Sequence, residues 1–204
     1  MKPSQQTILA ALCALCALCA CLVNTGAANA QSLPHVLIRT SMGEIEIEVD
    51  SVHAPKTAAN FLRYVDLGFY GQAGRFHRTV RPDNQKNEKV KIAVIQGGLE
   101  PYKTRDFPPI PLENTKTTGL RHRDGTVSMA RTTPNSATSD FFICIGDQPA
   151  LDFGGKRNPD GQGFAAFGRV VRGTGVVKKI QEAPAKGETL TPDIPFVAAT
   201  RVPS

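Results

Sequence analysis

Residues 44–49 read Glu-Ile-Glu-Ile-Glu-Val, a strict alternation of charge and β-branched hydrocarbon that only an extended strand can serve. Successive side chains of a strand point to opposite faces, so Ile45, Ile47 and Val49 share a buried face while Glu44, Glu46 and Glu48 share a wet one. One wet face is the signature of an antiparallel sheet. Ser41-Met42-Gly43 supplies a turn back to the apolar run 36–40, making the first two strands a hairpin. Such a hairpin needs further strands to cover it, and residues 75–80, 92–96, 126–130, 140–145, 164–171 and 196–202 are all rich in β-branched and aromatic residues. Helical spacing is confined to two places. Ala58, Phe61, Leu62 and Val65 follow Pro55 and stop at Gly68, and a short helix is predicted over 175–181. Residues 81–91, 99–124 and 147–163 carry Gly, Pro and polar side chains, the chemistry of loops. The pattern is mainly β, a barrel or sandwich whose ends are closed by helices.

The first 30 residues stand outside this pattern. Lys2 precedes an apolar run from Ile8 to Val23, and Ala28-Asn29-Ala30 closes a short polar region, the layout of a secretory signal peptide. The run is too short for a membrane span, which needs about 20 residues. Cleavage after Ala30 is expected, leaving one domain over 31–204 in the periplasm or outside the cell. Leu18-Cys19-Ala20-Cys21 offers an alternative, lipidation at Cys21. Of the five cysteines only Cys144 remains if cleavage falls after Ala30, so no internal disulfide is expected. Cys144 lies in an apolar run and reads as a small buried hydrophobe. Removing Lys2 leaves 23 basic against 18 acidic side chains, a net charge of +5. The cations are scattered among only three tyrosines, which excludes a base-stacking nucleic-acid platform.

Between the strands at 126–130 and 140–145 lies a loop rich in Thr, Ser, Pro and Asn, either a plain connection or a binding loop held by its strands. Familiar catalytic signatures are missing: there is no G-x-S-x-G, H-E-x-x-H or P-loop, and no C-x-x-C after residue 30. Gly161-Gln162-Gly163 grazes a dinucleotide pattern but precedes a strand rather than opening a helix. His35, His53, His77 and His122 lack metal-ligand spacing. Chemistry without metal, cofactor or covalent intermediate is expected.

Five motifs in order carry a resemblance: Phe76-His77-Arg78; Gln96-Gly97-Gly98; Ser128-Met129-Ala130-Arg131 with Ser139-Asp140-Phe141-Phe142-Ile143; Leu151-Asp152; and Phe167-Gly168-Arg169-Val170. The chain resembles the cyclophilin-type peptidyl-prolyl cis-trans isomerases from about residue 36 to 200. Ala130-Arg131-Thr132 with Ser136-Ala137-Thr138-Ser139 is similar to the periplasmic bacterial branch. The resemblance implies an eight-stranded antiparallel β-barrel capped by two α-helices, a monomer, with its site on the outer face. It implies a catalyst of X–Pro rotation that assists the folding of exported proteins by binding unfolded, proline-containing chains. A peptide-binding module or chaperone of the same fold with little isomerase activity is the alternative.

By the same resemblance Arg78 is the catalytic donor and Gln96 holds it. The backbone of Ala130 and Arg131 grips the residue before proline, while Phe142 and Leu151 line the proline pocket with Val94, Asp140 and Phe164 around it. The sequence departs from the family in several places. Some ten extra residues separate Arg78 from Gln96. Counted back from Gln96, Ala93 and Val94 replace the usual Phe and Met. Ala150 replaces Trp or Phe, Phe164 replaces His or Tyr, and Asp140 replaces Gln. A thinned pocket is therefore expected unless the extra residues refill it, and a carboxylate at Asp140 is expected to compete for Arg78.

Overall fold

The computed structural model describes residues 32–99 and 107–203. The leader with Cys21, and residues 100–106 of the proline-rich connection, lie outside the described residues. The strands are β1 (His35–Thr40), β2 (Gly43–Val49), β3 (Arg75–Val80), β4 (Val94–Gly98), β5 (Thr126–Met129), β6 (Phe141–Cys144), β7 (Ala165–Arg172), β8 (Ala185–Lys186) and β9 (Thr189–Val202). They run in the order β1-β2-β7-β5-β6-β4-β3-β9, and β9 pairs back onto β1. Eight antiparallel strands therefore close a barrel, with the two-residue β8 appended to β9. Closure leaves no barrel strand with an open edge.

Only the second half of β9 is legible in the sequence. Its first half contains Pro192 and Pro195, which read as strand breakers. The half is tolerated because it lies on β3 where the register slips between Phe76 and Arg78, while residues 196–202 pair with β1.

Inside the barrel the alternation holds: Ile45, Ile47 and Val49 are fully buried with Ile38, Phe76, Ile95, Val127, Phe141, Ile143 and Phe167. Helix α1 (Pro55–Asp66) plugs one opening. Its Phe61 packs at 5.0–5.5 Å from the rings of Phe167, Phe141 and Tyr70, the last from the short α2 (Phe69–Ala73). Near the other strand ends α4 (Thr174–Gln181) buries Val177 and Ile180. Besides the two expected helices there are α2, a single turn α3 (Thr115–Thr118) and a 3-10 turn at Pro149–Leu151.

Two surface devices support this frame. Helix α1 has Ala54 at its N-cap and no capping side chain of its own. Glu113 supplies the missing acceptor from the far side of the chain, taking the backbone N–H groups of Lys56 (3.2 Å) and Thr57 (2.7 Å) and the Thr57 hydroxyl (2.7 Å). The wet face of β2 carries ion pairs: Glu44 with Arg39 and Arg172, Glu46 with His35 and Arg172, Glu48 with Arg169. Hydrogen bonds from Arg172 and Arg39 hold the Glu44 carboxyl below its ordinary range, and those from His35 and Arg172 do the same for Glu46. Among the described residues no helix is long and apolar enough to cross a membrane.

Candidate active site

Register builds the site. Arg78 pairs with Gln96 across β3–β4, Gln96 with Phe142 across β4–β6, and Phe142 with Ser128 across β6–β5. These four residues form one rung of the sheet, so their side chains stand side by side on the same outer face, with neighbouring strands about 4.8 Å apart. Two residues along, Val80, Val94 and Cys144 form a parallel rung, all apolar. A second apolar cluster, outside the barrel, results from the two rungs. Val80, Val94, Phe142 and Cys144 join Ile92 and Leu151, with Ala130 and Phe164 packed against them.

A cleft of about 610 Å³ opens over this cluster. It is lined by every site residue singled out from the sequence: Arg78, Gln96, Val94, Ala130, Arg131, Asp140, Phe142, Leu151 and Phe164. Thr132, Ser136 and Thr138 of the loop between β5 and β6 also line it, so that loop is part of a site rather than a plain connection. The rings of Phe142 and Phe164 meet edge to face at 5.3 Å, giving an apolar corner.

Arg78 stands at the polar end, its side chain 38% exposed. Its Nη1 donates to Gln96 Oε1 at 2.8 Å, as expected. Its Nε and Nη2 both donate to Glu188 Oε2, at 2.9 and 2.5 Å. Glu188, in the turn between β8 and β9, carries no signal along the chain that marks it for this role. Arg78's ion pair is therefore with Glu188, and the expected competition from Asp140 is corrected. Asp140 is buried, and its Oδ2 lies 3.9 Å from His77 Nε2. Gly98 permits that placement, since a Cβ there would sit 2.7 Å from the Cα of Asp140. The backbone N–H of Ala130 donates to the Asp140 carbonyl at 2.8 Å, so strand pairing takes up this donor, one of the backbone groups expected to serve the ligand.

The extra residues 81–91 and the loop 152–163 form one side of the cleft, and both are pinned by buried polar side chains. Gln85, 2% exposed, donates to the carbonyls of Arg81 and Ile92 and accepts from the Ile92 N–H. Ile92 is thereby turned into the apolar cluster. Arg157 ties the two segments together through Gln85 Oε1 (3.0 Å), the Val90 carbonyl (2.7 Å) and Glu88 (3.3 Å). The side chain of Arg131, only 1% exposed, makes paired bonds to Asp160 and to the Gly163 carbonyl, with Phe164 beneath its guanidinium at 5.1 Å. The Arg131 bond holds the Asp160 carboxyl below its usual range. Thinning at Ala93 is thus offset by Ile92 and Phe164, while Ala150 leaves its aromatic position unfilled.

Behind Phe142 lies a buried chain of polar groups that the sequence reading missed. His122 stacks on the Phe142 ring at 6.0 Å and bridges Ser128 Oγ (3.0 Å) and Asp152 Oδ1 (2.8 Å). Burial would raise the Asp152 carboxyl, but hydrogen bonds from the His122 ring and backbone outweigh it and hold the group low. Ser128 and His122 are closed to solvent, so the trio buttresses Phe142 and does not present a nucleophile. Burial likewise pushes the Cys144 thiol well up, consistent with a packing role.

The structural class is thus a closed barrel with an arginine-ended apolar cleft on its outer face. Comparison with known proteins gives the class a name. The sequence model of the family described as cyclophilin type peptidyl-prolyl cis-trans isomerase/CLD matches residues 35–201. Similar curated proteins include peptidyl-prolyl cis-trans isomerase A of Dickeya dadantii, 38% identical over 75% of this chain and 74% of that one. Isomerase cyp18 of Streptomyces antibioticus is 36% identical over 79% and 93%. Isomerase B of Escherichia coli is 34% identical over 78% and 92%. A solved cyclophilin-type isomerase of Cryptosporidium parvum shares the fold, with a TM-score of 0.65 at 21% identity, covering 84% of this chain and 99% of that one. The chain belongs to the cyclophilin-type peptidyl-prolyl cis-trans isomerase family, and it is an isomerase by class.

Proposed function

We propose that the cleft lowers the barrier to X–Pro rotation in extended segments of incompletely folded chains, with Arg78 as the catalytic donor. Rotation about an X–Pro bond is opposed by amide resonance worth roughly 18–20 kcal/mol and breaks no bond. A catalyst therefore needs only to bind the twisted amide better than the planar one. The corner of Phe142, Phe164, Leu151 and Ile92 suits the proline ring, which is apolar and fills a concave site without losing torsional freedom. Among the described residues three of the five N–H groups of Arg78 are bonded, to Glu188 and Gln96, which leaves two to donate to the twisted imide or its neighbouring carbonyl. The observation that carries this reading is the single rung that sets Arg78, Gln96 and Phe142 abreast. A solved cyclophilin-type isomerase of Cryptosporidium parvum, crystallised in the presence of the dipeptide Ala-Pro, supports a proline-containing ligand.

The test is the isomerisation of a short Ala-Pro peptide followed by exchange NMR. Arg78→Ala should cost about a hundred- to a thousandfold in kcat/KM, the usual loss when one preorganised donor is removed. The fold should be little affected, since a half-exposed ion pair contributes about 1 kcal/mol or less. Full activity in Arg78→Ala would sink the assignment. Tight binding of the peptide by the wild type without turnover would favour the binding-module alternative. The leader-like residues 1–30 support export, and we place the mature protein in the periplasm or outside the cell. Intact mass from the native host checks this: a start at Gln31 is expected, and an acylated start at Cys21 would instead mean an envelope anchor.

A further inference from the structure

Glu188, which holds Arg78 without itself lining the cleft, is accounted for neither by the family motifs nor by the local sequence. It occupies the turn between β8 and β9, and that turn is not loose. The carbonyl of Glu188 accepts from the Thr79 N–H at 2.8 Å, next to Arg78 in β3. Asn84, from the extra segment, donates from Nδ2 to both the Thr79 carbonyl (2.9 Å) and the Gly187 carbonyl (3.1 Å). Asn84 is itself fixed by accepting from the Arg81 N–H at 2.8 Å. The extra residues thus form one wall of the cleft and also dock the turn that carries the carboxylate.

We propose that Glu188 is a positioning residue for the isomerase reaction, acting through Arg78. A guanidinium on three methylenes rotates readily, and Gln96 alone would hold it by a single hydrogen bond. Glu188 takes the edge formed by Nε–H and one Nη2–H, which fixes the plane of the group. The two remaining N–H groups, one on Nη1 and one on Nη2, are then held in a fixed plane. A donor must be held within about half an ångström of its productive place to work fully, so freeing this edge lowers the rate even though Arg78 remains. The proposal rests on the reading of Arg78 as catalytic donor, and the experiment separates the two.

Four proteins are compared on the Ala-Pro peptide, with kcat and KM resolved and thermal melting recorded: wild type, Glu188→Ala, Glu188→Gln and Arg78→Ala. Glu188→Ala should lower kcat about tenfold with KM within about twofold, the scale expected when a reacting group is slightly misplaced. Glu188→Gln should recover most of kcat, because its amide oxygen can accept the same two N–H groups. The Arg78 Nε–H resonance should be protected from solvent exchange in wild type and Glu188→Gln, and broadened in Glu188→Ala. Wild-type or higher kcat in Glu188→Ala overturns the proposal, and so does a Glu188→Gln protein no better than Glu188→Ala. A loss of rate that only tracks a loss of melting temperature also overturns it. Full activity in Arg78→Ala overturns instead the reading beneath it.

Discussion

Ile92→Ala tests whether the extra segment rebuilds the pocket. Ile92 is 7% exposed and packs with Val80, Val94, Phe142, Cys144 and Leu151 at the wall of the cleft. The substitution removes three carbons, about 2.4 kcal/mol of transfer free energy at roughly 0.8 kcal/mol per buried carbon. A wall residue shares its surface between its own cluster and the ligand. If somewhat under half of the surface faces the proline ring, binding weakens by about 1 kcal/mol, or about fivefold in KM. Because Ile92 makes no bond to the reacting amide, kcat should hold. The fold also loses stability: large-to-small changes, transfer and cavity together, cost about 2 kcal/mol at the mild end of their range, where a site can relax into a cleft. That corresponds to a fall in melting temperature of about 4–8 °C for a domain of this size. Steady-state kinetics on a short X–Pro peptide gives the first number and calorimetry the second. Gln85→Ala should mimic the KM effect by releasing the Ile92 backbone without touching its side chain. An unchanged KM in Ile92→Ala, with melting lowered as expected, would refute the idea that Ile92 contacts substrate.

Gly98→Ala should destabilise by about 2–3 kcal/mol and impair the cleft, because the new methyl meets the Asp140 backbone at 2.7 Å; denaturant unfolding and peptide turnover together check it. Acid should destabilise the fold in a defined direction. The carboxyls of Asp152, Asp160 and Asp66 lie below their ordinary range, so the folded state holds them ionised where the unfolded chain would take up protons. Their contribution is complete above the unfolded value and is lost as pH falls through the lowered folded values, giving a melting temperature flat above about pH 5 and declining below about pH 4. A melting temperature that rises on acidification through pH 4 would contradict this. Cyclosporin should bind weakly, since Ala150 stands in the 3-10 turn where the family usually has an aromatic; Ala150→Trp should tighten it more than it raises turnover, and titration calorimetry decides.

The barrel was legible wherever one residue type alternated with another over several positions. Glu44 to Val49 announced an inside and an outside, and both helices announced themselves by spacing. What strands conceal is register. Nothing along the chain says that Arg78 faces Gln96 and Gln96 faces Phe142, because those pairings depend on closure and on the slip after Phe76. The family motifs supplied that information indirectly, which is why all nine chosen residues line one cleft. Residues outside the family motifs stayed hidden. Gln85 and Arg157 look like solvated polar side chains in their own neighbourhoods, and only burial against each other shows otherwise. Glu188 follows Gly187 in an ordinary turn, and its meaning depends on a strand more than 100 positions away, as the separation to Arg78 shows. Asp140 was misjudged for the same reason, its strand being known but not its direction of approach.

Closure by β9 has a consequence for how the chain reaches this state. His35, near the start of the described chain, pairs with Val202 near its end, and the cap of α1 waits for Glu113. Contacts so distant along the chain raise the contact order and slow folding relative to a domain built from local hairpins. During synthesis the outward edge of β1 remains unpaired until the last strand is made. Loss of residues 189–202 would expose β1 and β3 together, leaving an open sheet with two sticky margins able to recruit other chains.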